Sequence, residues 1–255
     1  MAQIDNTELS RHFSARSATY DLHGTWVNNN EVLSQIVEFL PTTTIDPVQI
    51  VDLGAGTGAV SMYIYQNYSL CKDLYAVDIC PDMLAKFTEP CIRKRIASVE
   101  SLPFPDHSFD VAVSRQCLHY ADDLTCAASE IKRVLKGGGT FVLAQIVPLD
   151  TAQKKYWEDM IRLRQPLRKH FFSGKEWINF FASHGFTLQI SNTFSHIGSV
   201  KKWVKKYNII DTELIRGYEC LLRQAPESFK NEYNVIENGD DIIYSSYWIV
   251  AKFTI

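Results

Sequence analysis

The run Ile50-Val51-Asp52-Leu53-Gly54-Ala55-Gly56-Thr57-Gly58-Ala59 constrains the fold more than any other stretch: an apolar strand enters a loop with three glycines at alternate positions. Glycines so spaced let the backbone turn tightly and let a ligand approach where a Cβ would collide. Asp52, two residues before the first glycine, puts a carboxylate where the loop leaves its strand. A carboxylate there repels a pyrophosphate and can hold a cationic amine through charge-assisted hydrogen bonds. The combination suits a nucleoside that carries an amino-acid tail.

Strand and helix signals alternate around this loop. Residues 30–40 carry apolar side chains at helical spacing and are stopped by Pro41. Val48–Leu53 reads as a strand, Gly58–Asn67 as a helix, and Asp73–Asp78 as a second strand ending in an acid. Pro81 can open a short helix through Phe87, Ile96–Val99 reads as a third strand, and Phe109–Ser114 as a fourth. Leu124–Leu135 is amphipathic, ends in a basic turn, and meets Gly137-Gly138-Gly139 before a fifth strand over Thr140–Val147. Beyond Pro148 come a basic, aromatic helical stretch from about 152 to 168, read as a lid, and a capping box at Ser173–Glu176 that opens a helix closing at Gly185. A strand over Phe186–Ile190, helices over about 199–206 and 212–224, and an Asn238-Gly239 turn into a last strand complete the pattern.

The expected fold class is therefore α/β: a Rossmann-like three-layer sandwich with a seven-stranded, mostly parallel sheet and an antiparallel last strand. Within one domain, residues 1–40 form an N-terminal helical cap, 45–147 the ligand-binding core, 148–185 a helical insert after the fifth strand, and 186–255 the C-terminal strands and helices. The length of 255 residues and 46% hydrophobic content suit one large domain. A formal charge of -3 gives no general field for phosphate backbones or anionic lipid, so nucleic acid is not expected as a partner. The six cysteines lie outside any metal-ligand or disulfide spacing, so free thiols and no metal are expected. With no targeting segment and no apolar run of spanning length, the expected location is cytoplasmic.

Gly54-x-Gly56-x-x-Ala59 also satisfies the dinucleotide fingerprint, and Asp78 lies near the distance expected for a ribose-binding acid. Spacing alone leaves both cofactors open. The lesser readings are Asp52 as a helix cap or turn residue and Asp78 as a solvated strand-end acid.

Four segments together carry a resemblance: V-D-L-G-A-G-T-G (51–58), A-V-D-I-C-P-D-M-L (76–84), S-V-E-S-L-P-F-P-D-H-S-F-D-V-A-V-S (98–114) and E-I-K-R-V-L-K-G-G-G (130–139). In order and spacing they resemble the class I S-adenosylmethionine-dependent methyltransferases, in the branch with the ubiquinone/menaquinone-biosynthesis C-methyltransferases. The resemblance implies S-adenosylmethionine as cofactor and S-adenosylhomocysteine as product. It sets Gly54, Ala55 and Gly56 against the methionine part, Asp52 on its amino group directly or through water, and Asp78 on the ribose. Ile79 and Met83 would cover the adenine. The family usually has an acid where Ser98 stands, so Ser98, Val99 and Glu100 share the adenine contact.

Arg115 and Gln116 follow the fourth strand, and the resemblance implies that they lie near the cofactor's carboxylate end and that Tyr120 faces the acceptor. His119 is the candidate general base, its alternative being a helix cap or a core hydrogen bond. The N-terminal run F-S-A-R-S-A-T-Y-D (13–21) resembles a cap in which Tyr20 covers the methionine end and His23 or Trp26 reaches the acceptor, unless they only pack on the sheet's edge. In the insert, Arg162 and Arg164 among aromatics suit an acidic, partly apolar acceptor or else form a solvated basic face. The acceptor is expected to be a small molecule methylated at O, N or C. A carboxyl O-methyltransferase of the malonyl-acyl-carrier-protein type is the alternative, with Lys201–Lys206 as its docking face. A nicotinamide-dependent oxidoreductase and a cofactor-binding protein without turnover are the more distant ones, and the oligomeric state is left open.

Overall fold

The computed structural model describes residues 7–22, 27, 29–42, 47–204 and 212–255. Its strands are Val48–Leu53 (β1), Cys71–Asp78 (β2), Ile92–Ile96 (β3), Phe109–Arg115 (β4), Leu135–Val147 (β5), Thr187–Ser199 (β6), Ile236–Asn238 (β7) and Asp241–Thr254 (β8). They form one sheet in the order β3-β2-β1-β4-β5-β8-β6, with β7 paired to β8. The first five strands run parallel, and β8 is antiparallel to β5, β6 and β7. The seven-strand path is the one expected; the short β7, joined to β8 by the Asn238-Gly239 turn, makes an eighth strand.

Helices are Thr7–Ser14 (α1), Asn30–Glu38 (α2), Ala59–Asn67 (α3), Pro81–Leu84 (α4), Leu124–Val134 (α5), Lys154–Arg164 (α6), Gly174–Ser183 (α7), Val200–Val204 (α8), Thr212–Gln224 (α9) and Glu227–Glu232 (α10). Successive strand residues point to opposite faces, so each central strand feeds two cores. Val142, Ala144 and Ile146 of β5 join the core beneath α2, α3, α6 and α9, while Phe141, Leu143 and Val147 join the one beneath α5 and α7. In the insert, Trp157, Met160 and Ile161 of α6 are buried in the first core, so this helix is a packed layer of the sandwich.

Several boundaries depart from the sequence reading, two of them for a clear physical reason. The third strand is Ile92–Ile96, ahead of the expected Ile96–Val99, because Arg93, Lys94 and Arg95 make a charged edge strand that lacks an apolar signature. The triple glycine is part of β5: Leu135 pairs with Phe109 and Thr140 with Val111, so the glycines take up a bulge opposite Asp110. The capping box at Ser173 and Glu176 is present in both directions, and α10 is an addition behind Pro226. No helix among the described residues is long and apolar enough to cross a membrane.

Candidate functional site

The carboxyl ends of β1, β2 and β4 open into a crevice of about 850 Å³, counting its mouth. Gly54, Ala55 and Gly56 floor it, and Gly54 and Gly56 take positive φ of 74° and 55°. A Cβ on Gly54 would stand 2.3 Å from both Cβ and Sγ of Cys117, so only glycine fits there. The amides of Gly54 and Ala55 donate to Val77 O at 2.8 and 2.9 Å, Gly58 N donates to Ala55 O at 2.9 Å, and Gly56 N donates to Asp78 Oδ2 at 2.8 Å. The loop therefore spends these amides inside the protein instead of aiming them at an anion, unlike a phosphate cradle.

Acids gather around this loop. Asp78 at the end of β2 lines the crevice, its Oδ2 taken once by Gly56 N and its Oδ1 once by Cys80 N at 2.8 Å. A carboxylate has about four lone-pair sites, so each oxygen keeps capacity for a ligand hydroxyl. Burial pushes its pKa up, against the pull of those amides. Glu100 also lines the crevice; Asp122 N donates to its Oε1 at 2.5 Å, and its buried Oε2 has no hydrogen-bond partner. Ser98, on the same wall, uses its Oγ to accept from Glu100 N at 3.2 Å. Asp52 lies beneath the loop, 1% exposed and off the crevice wall; Ser61 Oγ donates to its Oδ2 at 2.6 Å. Burial raises the Asp52 pKa to about 6, with the Ser61 hydroxyl and the Arg115 charge opposing the rise.

Arg115 and Gln116 leave β4 on the opposite wall. Arg115 Nη1 donates to Val27 O at 2.6 Å, and Gln116 is held at φ 53° with its buried Nε2 unpartnered. Strained non-glycine backbone of this kind persists only where the surroundings enforce it and clusters at functional sites. The N-terminal cap closes the crevice: Phe13 meets Tyr120 edge-on at 5.3 Å, Thr57 Oγ1 donates to Asp21 Oδ1 at 2.5 Å, and Ser10 Oγ donates to Ile79 O at 3.3 Å.

The structure thus gathers Tyr20, Gly54, Ala55, Gly56, Asp78, Ile79, Met83, Ser98, Val99, Glu100, Arg115, Gln116 and Tyr120 around one crevice. His119 is not on its wall. It is 1% exposed, packs on Tyr120 at 4.2 Å, and donates from Nδ1 to Gln145 Oε1 at 2.9 Å. Burial and the neighbouring Arg168 hold its pKa well below the usual histidine range, which leaves a weak base away from the crevice. Arg162 is exposed and stacks on Phe171 at 4.1 Å, whereas Arg164 is buried beside Trp203; neither lines the crevice. His23 and Trp26 lie outside the described residues. Phe13, Thr57 and Cys117 line the crevice without having been singled out. Phe13 opens the N-terminal run that ends in Tyr20-Asp21, which is the signal the sequence holds for it.

The methyltransferase domain family matches residues 51–143. A malonyl-[acyl-carrier protein] O-methyltransferase of Halorhodospira halophila is 32% identical over 150 residues, 57% of this chain and 50% of that protein. The uncharacterized methyltransferase YcgJ of Bacillus subtilis is 28% identical over 163 residues, 62% of this chain and 64% of its own length. The chain thus spans about half to two thirds of the curated relatives it matches. The crystal structure of YcgJ superposes with a TM-score of 0.79 at 21% identity, over 88% of this chain and 98% of that one. The cyclase SpnF shares the fold more loosely, with a TM-score of 0.58 at 15% identity over 88% of this chain and 80% of that one, so the fold by itself does not dictate the chemistry. With the family match opening at the glycine loop and taking in Asp78 and Glu100, residues 51–143 of this chain match the methyltransferase domain family, and most of the chain shares its fold with the YcgJ structure.

Proposed function

We propose that this protein transfers a methyl group from S-adenosylmethionine to a small-molecule acceptor, with the cofactor in the crevice at the ends of β1, β2 and β4. The observation that carries this reading is the electrostatics of the glycine loop. The amides of Gly54, Ala55, Gly56 and Gly58 are turned inward, Asp52 is buried beneath the loop, and Asp78 and Glu100 line the crevice. Such a wall repels the pyrophosphate of a nicotinamide dinucleotide and suits a ligand with an ammonium and a sulfonium.

The chain's residues fit the cofactor. Asp78 keeps a lone pair on each oxygen for the ribose hydroxyls, and Glu100 Oε2 and Gln116 Nε2 are buried polar atoms still lacking partners. Met83 and Ile79 give the adenine an apolar cover, and Glu100, beside Ser98, supplies the carboxylate for its amino group. Arg115 holds the carboxylate end, and Asp52 acts on the ammonium from beneath the loop, through water or through its field. S-adenosylmethionine supplies an activated methyl group with a good leaving group, so the protein's work is alignment and exclusion of water. Phe13, Tyr20 and Tyr120 do this by roofing the crevice. His119 takes no part in our reading, since its Nδ1 is spent on Gln145 and it lies off the wall.

The deciding experiment is a thermal melt with S-adenosylhomocysteine, S-adenosylmethionine, NAD+ and NADH. Stabilisation by the two adenosyl ligands alone is expected; stabilisation by NAD+ or NADH alone overturns the reading.

Several relatives being malonyl-[acyl-carrier protein] O-methyltransferases favours a second reading, transfer to a carrier-bound carboxyl. In α8, Lys202 is exposed, and Lys201 pairs with Asp240 at 2.6 Å; Lys205 and Lys206 lie outside the described residues. Charge reversal at Lys202 should slow transfer to a malonyl-loaded carrier, and an unchanged rate would remove that docking face.

A further inference from the structure

Three arginines are buried beside the crevice: Arg16 at 8%, Arg164 at 3% and Arg168 at 2% exposure. Among the described residues no carboxylate stands within ion-pair distance of any of them, although a buried charge without a counter-charge is costly. Arg168 is accounted for by the fold. Its Nε, Nη1 and Nη2 donate to His170 O, Gln165 Oε1 and Ile146 O at 3.0, 3.2 and 3.1 Å.

Arg164 is different. Only its Nε is used, donating to Trp203 O at 2.5 Å, while the guanidinium lies 4.4 Å from the Trp203 ring. Among the described residues its two Nη groups have no acceptor, so the fork that binds carboxylates bidentately is unspent. Arg16 donates from Nη1 to His12 Nε2 at 3.3 Å and lies 5.6 and 5.3 Å from the rings of Phe13 and Tyr20. Those two rings and Tyr120 also roof the crevice, so one aromatic layer borders both the cofactor's place and the guanidiniums. Burial pushes the Arg164 pKa down, the Arg16 charge adds to the push, and the phenols of Tyr218, Tyr120 and Tyr20 pull it back.

We propose that Arg16 and Arg164 form the anion-binding end of the acceptor site, so that the acceptor is a carboxylic acid whose carboxylate sits between the two guanidiniums against the Tyr20 and Tyr120 layer. This rests on the methyltransferase reading for the place of the reacting end, but the arginine pair recognises the acid with or without the cofactor. The shared chemistry is a carboxylate on an apolar body, whether free or tethered to a carrier arm.

The test measures binding by thermal shift and calorimetry, with and without S-adenosylhomocysteine, for phenylacetate against phenylacetamide and for malonyl-pantetheine against acetyl-pantetheine. At least one acid is expected to bind tenfold or more tightly than its neutral partner; the aromatic pair reports a free acid and the pantetheine pair a tethered one. Arg164→Met should abolish that preference, Arg164→Lys should keep part of it, and Arg16→Met should weaken it independently should Arg164→Met fail to fold. No preference for either acid in the wild type, or an unaltered preference in Arg164→Met and Arg16→Met, overturns the proposal. S-adenosylhomocysteine binding is read separately in each protein: its absence defeats the cofactor assignment, while the acid preference still decides the arginine site.

Discussion

The Ser61 hydroxyl donates to Asp52 Oδ2 across 2.6 Å, tying the first turn of α3 to the end of β1 beneath the glycine loop. Burial nevertheless raises Asp52 from 3.8 to about 6. A carboxyl whose folded pKa lies above its unfolded value contributes stability that is fully present below about pH 4 and is lost as pH rises through about 6. Asp52→Asn keeps an acceptor for Ser61 and has no charge to bury. The variant should therefore match the wild type near pH 4 and exceed it at pH 7.5 by on the order of 2–3 kcal/mol in urea denaturation. It should also bind S-adenosylmethionine about tenfold more weakly at pH 7.5, since the ammonium loses a charge partner. A variant less stable than wild type at pH 7.5 would contradict the burial argument.

Gly54 offers a second test. An added Cβ would meet Cys117 Cβ and Sγ at 2.3 Å, and φ of 74° is costly for any residue with a side chain. Gly54→Ala should lose about 2 kcal/mol or more, a Tm drop of roughly 4–8 °C. Cys117→Gly added to it should recover the collision part and leave the backbone part. A Tm within experimental error of wild type would show that the loop relaxes more easily than its contacts imply.

These two sites mark what the sequence made legible. The glycine loop and Asp78 are local: their spacing states a backbone shape and a strand end, and both stand where the pattern put them. Edge strand β3 lies ahead of where the apolar pattern points, because Arg93, Lys94 and Arg95 give no apolar period and only pairing with β2 makes them a strand. His119 follows β4 as expected, but whether a histidine is basic depends on burial, which the packing of Gln145 and Arg168 around it decides. Arg16 drew no notice for the same reason. Nothing near residue 16 announces residue 164: Tyr20, beneath Arg16, and the buried face of α6 come onto one core only when the chain folds. Positions fixed by local geometry could be read, whereas the burial of His119 and Arg16, which long-range packing decides, could not.

Trp177 is wholly buried in α7 and stacked on Phe181 at 6.1 Å, yet its Nε1 has no hydrogen-bond partner. An unpaired buried donor costs about 1–3 kcal/mol, which offsets part of what the indole gains by burial. Trp177→Phe should therefore change stability by no more than about 1 kcal/mol, while Trp177→Ala, which leaves a large cavity, should cost about 3–5 kcal/mol. Chemical denaturation of the two variants checks this, and a Phe variant as damaged as the Ala variant would mean that the indole nitrogen is satisfied in solution.

Glu100 carries the sharpest prediction about the ligand. Its Oε1 is held by Asp122 N at 2.5 Å, its Oε2 is buried and unpartnered, and Ser98 nearby has its Oγ committed to Glu100 N. A carboxylate can only accept, so it favours a base edge that presents an amino group and disfavours one that presents a carbonyl. Wild-type protein should bind S-adenosylhomocysteine at least tenfold more tightly than S-inosylhomocysteine, in which a carbonyl replaces the adenine amino group. Glu100→Gln brings both a donor and an acceptor to the same place. It should weaken S-adenosylhomocysteine binding about tenfold and narrow the gap between the two ligands to roughly threefold or less. Calorimetric titration of both ligands into both proteins measures the ratio directly. A ratio unchanged by the substitution would move the adenine contact away from Glu100, to Ser98 or to the backbone at Val99.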